Sequence, residues 1–144
     1  MINQFKGSRS DHWATPKHIY DQHIKNGYID YNPLYSYIDP FYTNAYKYVN
    51  ENIFINPPFS ILNKNEWILT IKQLLHNKNH IKILMPARVD TKQFHKLLEL
   101  GFNVEFIKGR LKYNDTKSAP FPSLWLIYGE KKEKKNEKNI HKNI

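Results

Sequence analysis

Short apolar segments alternate with amphipathic helical patterns along most of this chain, and this alternation restricts the fold more than any other feature. Apolar and β-branched segments predict strands at residues 28–31, 52–56, 81–85, 104–107 and 124–128. Helical spacing of apolar residues predicts helices at residues 16–25, 65–76 and after Asp90. Such alternation is typical of α/β proteins that have a mostly parallel sheet with helices on both faces.

The alternation stops after Ile107, because the last two predicted strands follow one another without an intervening helix. Consecutive strands usually pair, so we expect an antiparallel hairpin at one edge of the sheet. Asp30, Asn56 and Pro86 each come at the carboxyl end of a predicted strand. Ligands bind at this end of the strands in open α/β sheets, so these three residues indicate a candidate site.

Local signals indicate where the predicted helices begin and end. Thr15 is a typical N-cap residue, and Pro16 suits the first helical position. Gly27 suits the C-terminal end of the same helix. Asp90 is the expected cap of the helix that carries Phe94 on its apolar face.

Length and charge predict one basic domain followed by a charged tail. The chain has 144 residues, which supports a single domain at residues 1–130. Residues 131–144 are rich in Lys and Asn, so we expect a flexible, solvated tail. The formal net charge is +9, of which the six Lys and two Glu of the tail contribute +4 and the domain +5. A basic domain favours a polyanionic partner, and nucleic acid is the expected one.

The composition excludes several classes of protein and site. The chain has no Cys, which excludes disulfides, thiolate metal sites and cysteine nucleophiles. No apolar run reaches the ~18 residues of a membrane span, and the first residues form no apolar signal segment. His76 and His80 have the spacing of a metal-binding pair, but no Glu lies between them, so we expect no metal. These features predict a cytoplasmic or nuclear protein without membrane contact.

Asn56-Pro57-Pro58-Phe59 is the strongest local signal, and it directly follows an apolar strand. Two prolines alone can simply mark a rigid turn where a strand ends. The four residues together also suit chemistry on the exocyclic amine of a nucleobase. The Asn56 side-chain oxygen and the Pro57 carbonyl can accept the two amine hydrogens and move the nitrogen towards tetrahedral geometry. Phe59 offers a ring face on which a flipped base can stack.

The chain resembles the phage-type DNA N6-adenine methyltransferases, which use S-adenosylmethionine and carry an Asn-Pro-Pro-aromatic catalytic loop. Six elements follow the order of this family over about residues 11–128, namely residues 11–16, 30–34, 54–60, 84–95, 107–113 and 119–123. The resemblance implies an abbreviated Rossmann-like methyltransferase sheet with an antiparallel edge hairpin and helices on both faces. It also implies methyl transfer to the N6 amine of adenine in DNA, with Asn56, Pro57, Pro58 and Phe59 as the catalytic residues.

The resemblance further implies the cofactor, S-adenosylmethionine, without a metal. Its methyl sulfonium is electrophilic, so the transfer requires no Lewis acid. Asp30 can pair with the ammonium group of the cofactor, and the Thr15 hydroxyl can hold its carboxylate. Asp39 is the expected ribose contact. The implied cofactor-binding residues are Asp11, Trp13, Thr15, Pro16, Asp30, Pro33 and Asp39.

The implied partner is DNA with its target adenine flipped out of the duplex. Arg88 and Arg110 are two of only three Arg residues, and the guanidinium group suits planar, bidentate contacts. The segment between the last two strands is expected to project from the sheet edge with its basic half facing DNA, while residues 119–122 pack on the core. The expected DNA-binding residues are Ser60, Arg88, Lys108, Arg110, Lys112, Tyr113 and Lys117.

Several alternatives stay open at this point. The Asn-Pro-Pro-aromatic loop suits the N4 amine of cytosine as well as adenine, whereas a protein-glutamine substrate agrees less well with the charge of +9. A catalytically inactive methyltransferase-like DNA-binding module or accessory subunit is the alternative from another class. The absence of a Gly-rich loop near Asp30 supports it, whereas the intact Asn56–Phe59 loop opposes it. Recognition of a DNA sequence would come from residues 108–122, from the tail or from a second subunit. For a viral protein the expected location is the host cytoplasm, or the nucleus of a eukaryotic host.

Overall fold

The computed structural model describes residues 13–31 and 45–133. Its helices are α1 (Lys17–Lys25), α2 (Asn65–His76) and α3 (Lys92–Glu99). Its strands are β1 (Ile29–Asp30), β2 (Asn52–Ile55), β3 (His80–Pro86), β4 (Asn103–Phe106) and β5 (Ser123–Tyr128). Single 3-10 turns occur at Ala45–Lys47, Phe59–Ile61 and Tyr113–Asp115. Within the described ranges, no helix combines the length and apolar character that crossing a membrane requires.

The five strands form one sheet in the order β1-β2-β3-β5-β4. β1, β2 and β3 pair in parallel, whereas β5 is antiparallel to both of its neighbours, β3 and β4. β5 is therefore the one reversed strand among them, and it lies second from the edge that β4 forms. The expected α/β class, the mostly parallel sheet and the antiparallel pair at this edge are confirmed.

The two faces of the sheet are covered by different elements. On one face, Ile53 of β2 and Ile83 of β3 share a buried cluster with Trp67 of α2 and Leu97 of α3. On the other face, Leu84 of β3 belongs to a second cluster, against which α1 packs through Ile19. Ile83 and Leu84 reach opposite faces because successive side chains of a strand alternate. Helices lie on both faces, as the sequence predicts.

The helix boundaries agree with their expected positions, but two of the expected caps differ. α1 begins at Lys17, and Pro16, rather than Thr15, takes the N-cap position with ψ 138°. Thr15 accepts a hydrogen bond from Asn56 instead. Thr91, rather than Asp90, caps α3, because the Thr91 hydroxyl accepts from the Phe94 amide at 3.2 Å.

Residues 107–122 do not project from the sheet as a whole, which corrects the expectation for this loop. Tyr113 is only 1% exposed, and its hydroxyl hydrogen-bonds to the Ser123 hydroxyl at 2.7 Å. The Ala119 amide donates to the Leu111 carbonyl at 2.8 Å, so residues 119–122 pack against the core as expected. The prediction that the Tyr113 ring faces DNA is wrong, since burying a large aromatic ring is more favourable than exposing it.

Three of the implied cofactor-binding residues, Asp11, Pro33 and Asp39, lie outside the described residues. The same holds for residues 134–144 of the tail. The start of the tail is described, and it is attached to the sheet. The Lys132 amide donates to the Asn52 side-chain oxygen at 2.6 Å, and the Asn52 amide donates to the Lys132 carbonyl at 3.0 Å.

His80, the first residue of β3, is buried, and both of its ring nitrogens have hydrogen-bond partners. Its Nδ1 lies 3.0 Å from the carbonyl oxygens of Tyr128 and Gly129, and its Nε2 lies 2.8 Å from the Tyr28 hydroxyl. Carbonyl oxygens only accept, so Nδ1 carries the proton and Nε2 accepts from Tyr28. Burial lowers the pKa of His80, because desolvation disfavours the charged ring.

We therefore expect His80 to make stability depend on pH. A histidine in the unfolded chain has a pKa of about 6.5, so the unfolded chain binds a proton there before the native state does. Its stabilising contribution should be fully present above about pH 6.5 and be lost as the pH falls through the lower native pKa. His80→Gln, which does not titrate, should reduce the change in the free energy of unfolding between about pH 7.5 and 5 in urea denaturation.

His18→Gln is the matched control, because His18 is an exposed histidine on α1. It should leave the pH dependence as in the unmodified protein. An identical pH dependence for His80→Gln and the unmodified protein would show that His80 does not couple protonation to folding.

Candidate functional site

The candidate site lies where three adjacent parallel strands end. Asp30 is the last residue of β1, Asn56 follows β2, and Pro86 is the last residue of β3. β2 pairs with both β1 and β3 in parallel, so these three residues lie along one edge of the sheet. The structure thus brings together the strand ends that the sequence indicated.

Asn56 is the central polar residue of this edge, and it is 5% exposed. Its Nδ2 donates to the carbonyl oxygen of Trp13 at 2.7 Å and to the hydroxyl oxygen of Thr15 at 3.0 Å. The carbonyl oxygen can only accept, so it determines which way the amide group is turned. The Asn56 Oδ1 consequently points away from both acceptors.

The residues after Asn56 form a rigid turn. Pro57 is buried, Pro58 is partly buried, and neither has an amide hydrogen to donate. The Pro58 carbonyl accepts from the Ile61 amide at 3.2 Å, which closes the 3-10 turn that begins at Phe59. The Phe59 ring is thereby held next to the strand ends.

Residues 13–17 are held at this edge by a part of the chain about one hundred positions away. The Ala14 backbone amide donates to the Asn114 side-chain oxygen at 2.8 Å. The Asn114 backbone amide donates to the Ala14 carbonyl oxygen at 2.9 Å. The Lys17 amide, at the start of α1, lies 3.2 Å from both carboxylate oxygens of Asp115. At the start of α1, Asp115 therefore accepts the backbone hydrogen bond that Thr15 was expected to accept.

Asn114 and Asp115 were not among the predicted site residues. Both have left-handed backbones, with φ values of 58° and 54°. Asn and Asp tolerate this conformation better than other residues with a side chain. An Asn-Asp pair is therefore a recognisable turn signal, but the sequence offers no indication of its partners at residues 14 and 17.

A cavity of about 340 Å³, here called the Asp30 cavity, opens beside the Asn56 side chain. Thr15, Asp30 and Asn56, all predicted site residues, line it together. The remaining lining residues are Ala14, Lys17, Tyr20 and Asp115. Its two carboxylates outnumber its one ammonium group, that of Lys17, which favours a ligand that carries positive charge.

A second cavity of about 450 Å³, here called the Phe59 cavity, shares no lining residue with the Asp30 cavity. Phe59, Ser60 and Arg88 line it, as do the rings of Trp13 and Phe121. Arg88 and Ser60 are exposed, so this cavity is open to solvent on their side. Its aromatic lining favours a planar apolar ligand, with polar groups near the entrance.

Four rings pack together at the Phe59 cavity. Trp13 and Phe59 are nearly parallel, with 13° between their planes and 6.3 Å between their centroids. Phe121 meets both at steep angles, at 5.1 Å from Trp13 and 5.4 Å from Phe59. Tyr113 lies 5.9 Å from Trp13. Phe59 is therefore supported by other rings and does not depend on the backbone alone for its position.

Trp13 was expected among the cofactor-binding residues near Asp30, and its ring is placed otherwise. The ring lines the Phe59 cavity and is not among the residues that line the Asp30 cavity. A large apolar ring gains more from packing on Phe59 and Phe121 than from contact with carboxylates. Only the backbone carbonyl of Trp13 contacts Asn56. Pro16 is buried beside this segment as the N-cap of α1.

The basic residues of the predicted DNA interface remain accessible. Lys108, Lys112 and Lys117 are exposed on the segment between β4 and β5. Arg110 is also exposed, and its Nη1 donates to the Ala119 carbonyl oxygen at 3.3 Å. None of these four residues lines the Asp30 cavity or the Phe59 cavity.

In the part of the chain that the structure describes, no group of three or more His, Asp or Glu side chains is placed to hold a metal ion. His76 and His80 do not act as a pair, because His80 is engaged with Tyr28 and with the backbone at Tyr128. Comparisons of the chain with protein-family models, curated proteins and solved structures found no match.

The role of Asp115 at the start of α1 leads to a stability prediction. Asp115→Ala removes the acceptor of the Lys17 amide and should lower the free energy of unfolding by about 1 kcal/mol, the usual effect of losing an N-terminal helix cap. Chemical denaturation followed by circular dichroism measures the change. Asp21→Ala is the control, because Asp21 pairs with the same residue through an exposed surface ion pair. An equal loss in both variants would contradict the capping role.

Proposed function

We propose that this protein transfers a methyl group from S-adenosylmethionine to the exocyclic N6 amine of adenine in DNA. One observation carries the proposal. The Asn56 amide is turned by the Trp13 carbonyl and the Thr15 hydroxyl and lines a cavity with two carboxylates, while Phe59, three residues on, lines a cavity with aromatic rings. An acceptor close to a site for a cation and to a site for a planar ring is what methylation of an aromatic amine requires.

The residues of the Asp30 cavity fit the cofactor. When bound, S-adenosylmethionine supplies an electrophilic methyl group on a positively charged sulfonium. Asp30 is suited to its ammonium group, and Asp115 adds a second negative charge to the same cavity. The Thr15 hydroxyl, which accepts from Asn56, still has its own hydrogen to donate to a carboxylate.

Asn56 and Pro57 act on the amine of the base. The lone pair of an exocyclic amine is delocalised into the ring, which makes the nitrogen a poor nucleophile. The Asn56 Oδ1 and the Pro57 carbonyl oxygen accept its two hydrogens and favour a tetrahedral nitrogen whose lone pair is available. Trp13 and Thr15 hold the Asn56 amide so that this oxygen is presented without reorganisation.

The Phe59 cavity is suited to the flipped base. Phe59 presents a ring on which adenine can stack, and Trp13 and Phe121 keep that ring in place. Ser60 and Arg88 at the entrance can contact the base or the neighbouring phosphates. The exposed Lys108, Lys112 and Lys117 supply the attraction to the DNA backbone.

We also propose that the sheet is an abbreviated Rossmann-like methyltransferase sheet. The parallel order of β1, β2 and β3 supports this, as does a candidate site at their carboxyl ends. Cytosine N4 in place of adenine N6 would use the same groups. A catalytically inactive DNA-binding module would keep the basic surface without affinity for S-adenosylmethionine, and calorimetric titration with this compound separates it from the enzyme.

The catalytic assignment predicts the effect of removing one acceptor. Asn56→Ala should reduce methyl transfer to DNA on the order of 10² or more, because a positioned acceptor is removed where charge develops. The affinity for S-adenosylmethionine should change little. Transfer of radiolabelled methyl to duplex DNA gives the rate, and calorimetry gives the affinity.

Asn63→Ala is the matched control, since Asn63 is an exposed Asn that lines the Phe59 cavity. It should retain methyl transfer close to that of the unmodified protein. Methylation by Asn56→Ala at the unmodified rate would refute the catalytic assignment, and a circular dichroism spectrum would show whether the variant is folded.

The basic segment between β4 and β5 predicts how DNA affinity responds to salt. Replacing Lys108, Lys112 and Lys117 by Gln should reduce the slope of log affinity against log salt by up to about 0.9 for each phosphate that the variant no longer neutralises. Fluorescence anisotropy with a labelled duplex at several salt concentrations measures the slope. The fold should be unaffected, because all three side chains are exposed.

Deletion of residues 134–144 is the comparison, because it removes tail charge without disturbing the contact between Lys132 and Asn52. The deletion should also reduce the slope of log affinity against log salt, while any preference for a DNA sequence stays unchanged. If the triple substitution has no effect and the deletion abolishes the slope, the tail holds DNA and the loop does not.

A further inference from the structure

A third cavity, of about 370 Å³, lies on the face of the sheet that α1 covers. It is here called the amino-end cavity. Its lining includes Gln22 and His23 of α1, the C-cap residue Asn26, Lys82 of β3, Trp125 of β5 and Lys131. Lys82 is the third residue of β3 and pairs with Phe54, two residues before Asn56, so this cavity is a neighbour of the candidate site. None of its lining residues lines the Asp30 cavity or the Phe59 cavity, so it is a distinct site.

Two lysine ammonium groups converge in this cavity. The Nζ atoms of Lys82 and Lys131 lie 5.7 and 5.9 Å from the centroid of the Tyr28 ring. Lys82 Nζ also lies 4.4 Å from the centroid of the Trp125 ring and 3.0 Å from His23 Nε2. Aromatic faces stabilise such cations but carry no negative charge.

His23 does not provide a counter-charge either. Its Nδ1 lies 2.8 Å from the Ile19 carbonyl oxygen, which only accepts, so Nδ1 carries the proton. Nε2 is then a neutral acceptor for the Lys82 ammonium group. Burial lowers the pKa of His23, which is consistent with this neutral form.

No carboxylate lines the amino-end cavity. Among the described residues, the ion pair with nitrogen and oxygen within 4.0 Å joins Lys17 and Asp21 on the surface of α1, and it involves neither Lys82 nor Lys131. Glu105 of β4 lies more than 4.0 Å from the Lys82 ammonium group. Its negative charge raises the pKa of Lys82, but burial lowers that pKa by more. A half-buried ammonium group without a paired anion is costly, and an anionic ligand would relieve that cost.

Lys131 is held in place although it stands at the start of the tail. The next residue, Lys132, exchanges two hydrogen bonds with the Asn52 side chain, at 2.6 and 3.0 Å. The backbone at Gly129 is held by His80. The backbone on both sides of Lys131 is therefore attached to the sheet, which keeps Lys131 at this cavity.

We propose that the amino-end cavity binds a phosphate group. Lys82 and Lys131 supply two ammonium groups, and the side-chain amides of Gln22 and Asn26 supply further donors around one space. Four donor groups from α1, β3 and the start of the tail suit the several oxygens of a phosphate. The phosphate belongs either to a free small anion or to the backbone of a nucleic acid. The site does not depend on the methyl-transfer proposal.

Titration with inorganic pyrophosphate, followed by calorimetry, tests this site. The unmodified protein should bind pyrophosphate saturably, and Lys131→Gln should weaken binding on the order of tenfold because one charged donor is removed. Lys82→Gln should weaken it at least as much. Lys72→Gln is the control, since Lys72 is an exposed lysine of α2 on the opposite face of the sheet, and it should bind as the unmodified protein does.

Absence of saturable binding would overturn the proposal, as would an equal loss in Lys72→Gln and Lys131→Gln, which indicates attraction by net charge alone. Lys131 is exposed, so Lys131→Gln should fold even if Lys82→Gln does not. A short DNA duplex distinguishes the two sources. Displacement of pyrophosphate by the duplex, together with weaker duplex binding by Lys131→Gln, assigns the phosphate to DNA. No displacement assigns it to a free anion. Asn56→Ala should bind pyrophosphate normally.

Discussion

The hydrogen bond from the Asn56 amide to the Trp13 carbonyl oxygen, 2.7 Å long, is the interaction on which the candidate site depends. It joins the end of β2 to the segment before α1, and it determines the direction of the Asn56 oxygen. Because Trp13 and Asn56 belong to these two segments, the same contact arranges both cavities. The Asp30 cavity contains Thr15 and Asn56, and the Phe59 cavity contains the Trp13 ring.

The segment between β4 and β5 keeps this arrangement in place. Asn114 and Asp115 bind the backbone at Ala14 and Lys17, while the Tyr113 ring is buried beneath Trp13. In a chain of 144 residues, one connection thus covers a face of the sheet and also positions the site. The hydrogen bonds restrict the backbone, and the aromatic packing restricts the rings, so neither feature alone would orient Asn56 and Phe59 together.

Two neighbouring cavities of this protein have different chemistry. In the Asp30 cavity, Asp30 and Asp115 lie with Asn56, which favours a cationic ligand. In the amino-end cavity, Lys82 and Lys131 lie without a carboxylate, which favours an anion. A net charge of +9 describes neither environment, because local burial and pairing decide what each cavity can bind.

The sequence by itself determined the α/β class, the extent of α2 at residues 65–76, and the placing of Asp30 and Asn56 at strand ends. Those features depend on short-range periodicity and on chain breakers, which neighbouring residues encode. Only the tertiary structure decided that Thr15 accepts a hydrogen bond from Asn56 instead of capping α1, that Tyr113 is buried, and that β5 lies between β3 and β4. These outcomes depend on contacts such as the one between Ala14 and Asn114, which are one hundred residues apart in sequence. No local pattern specifies a partner at that separation, because the choice among distant partners follows from how the whole sheet packs.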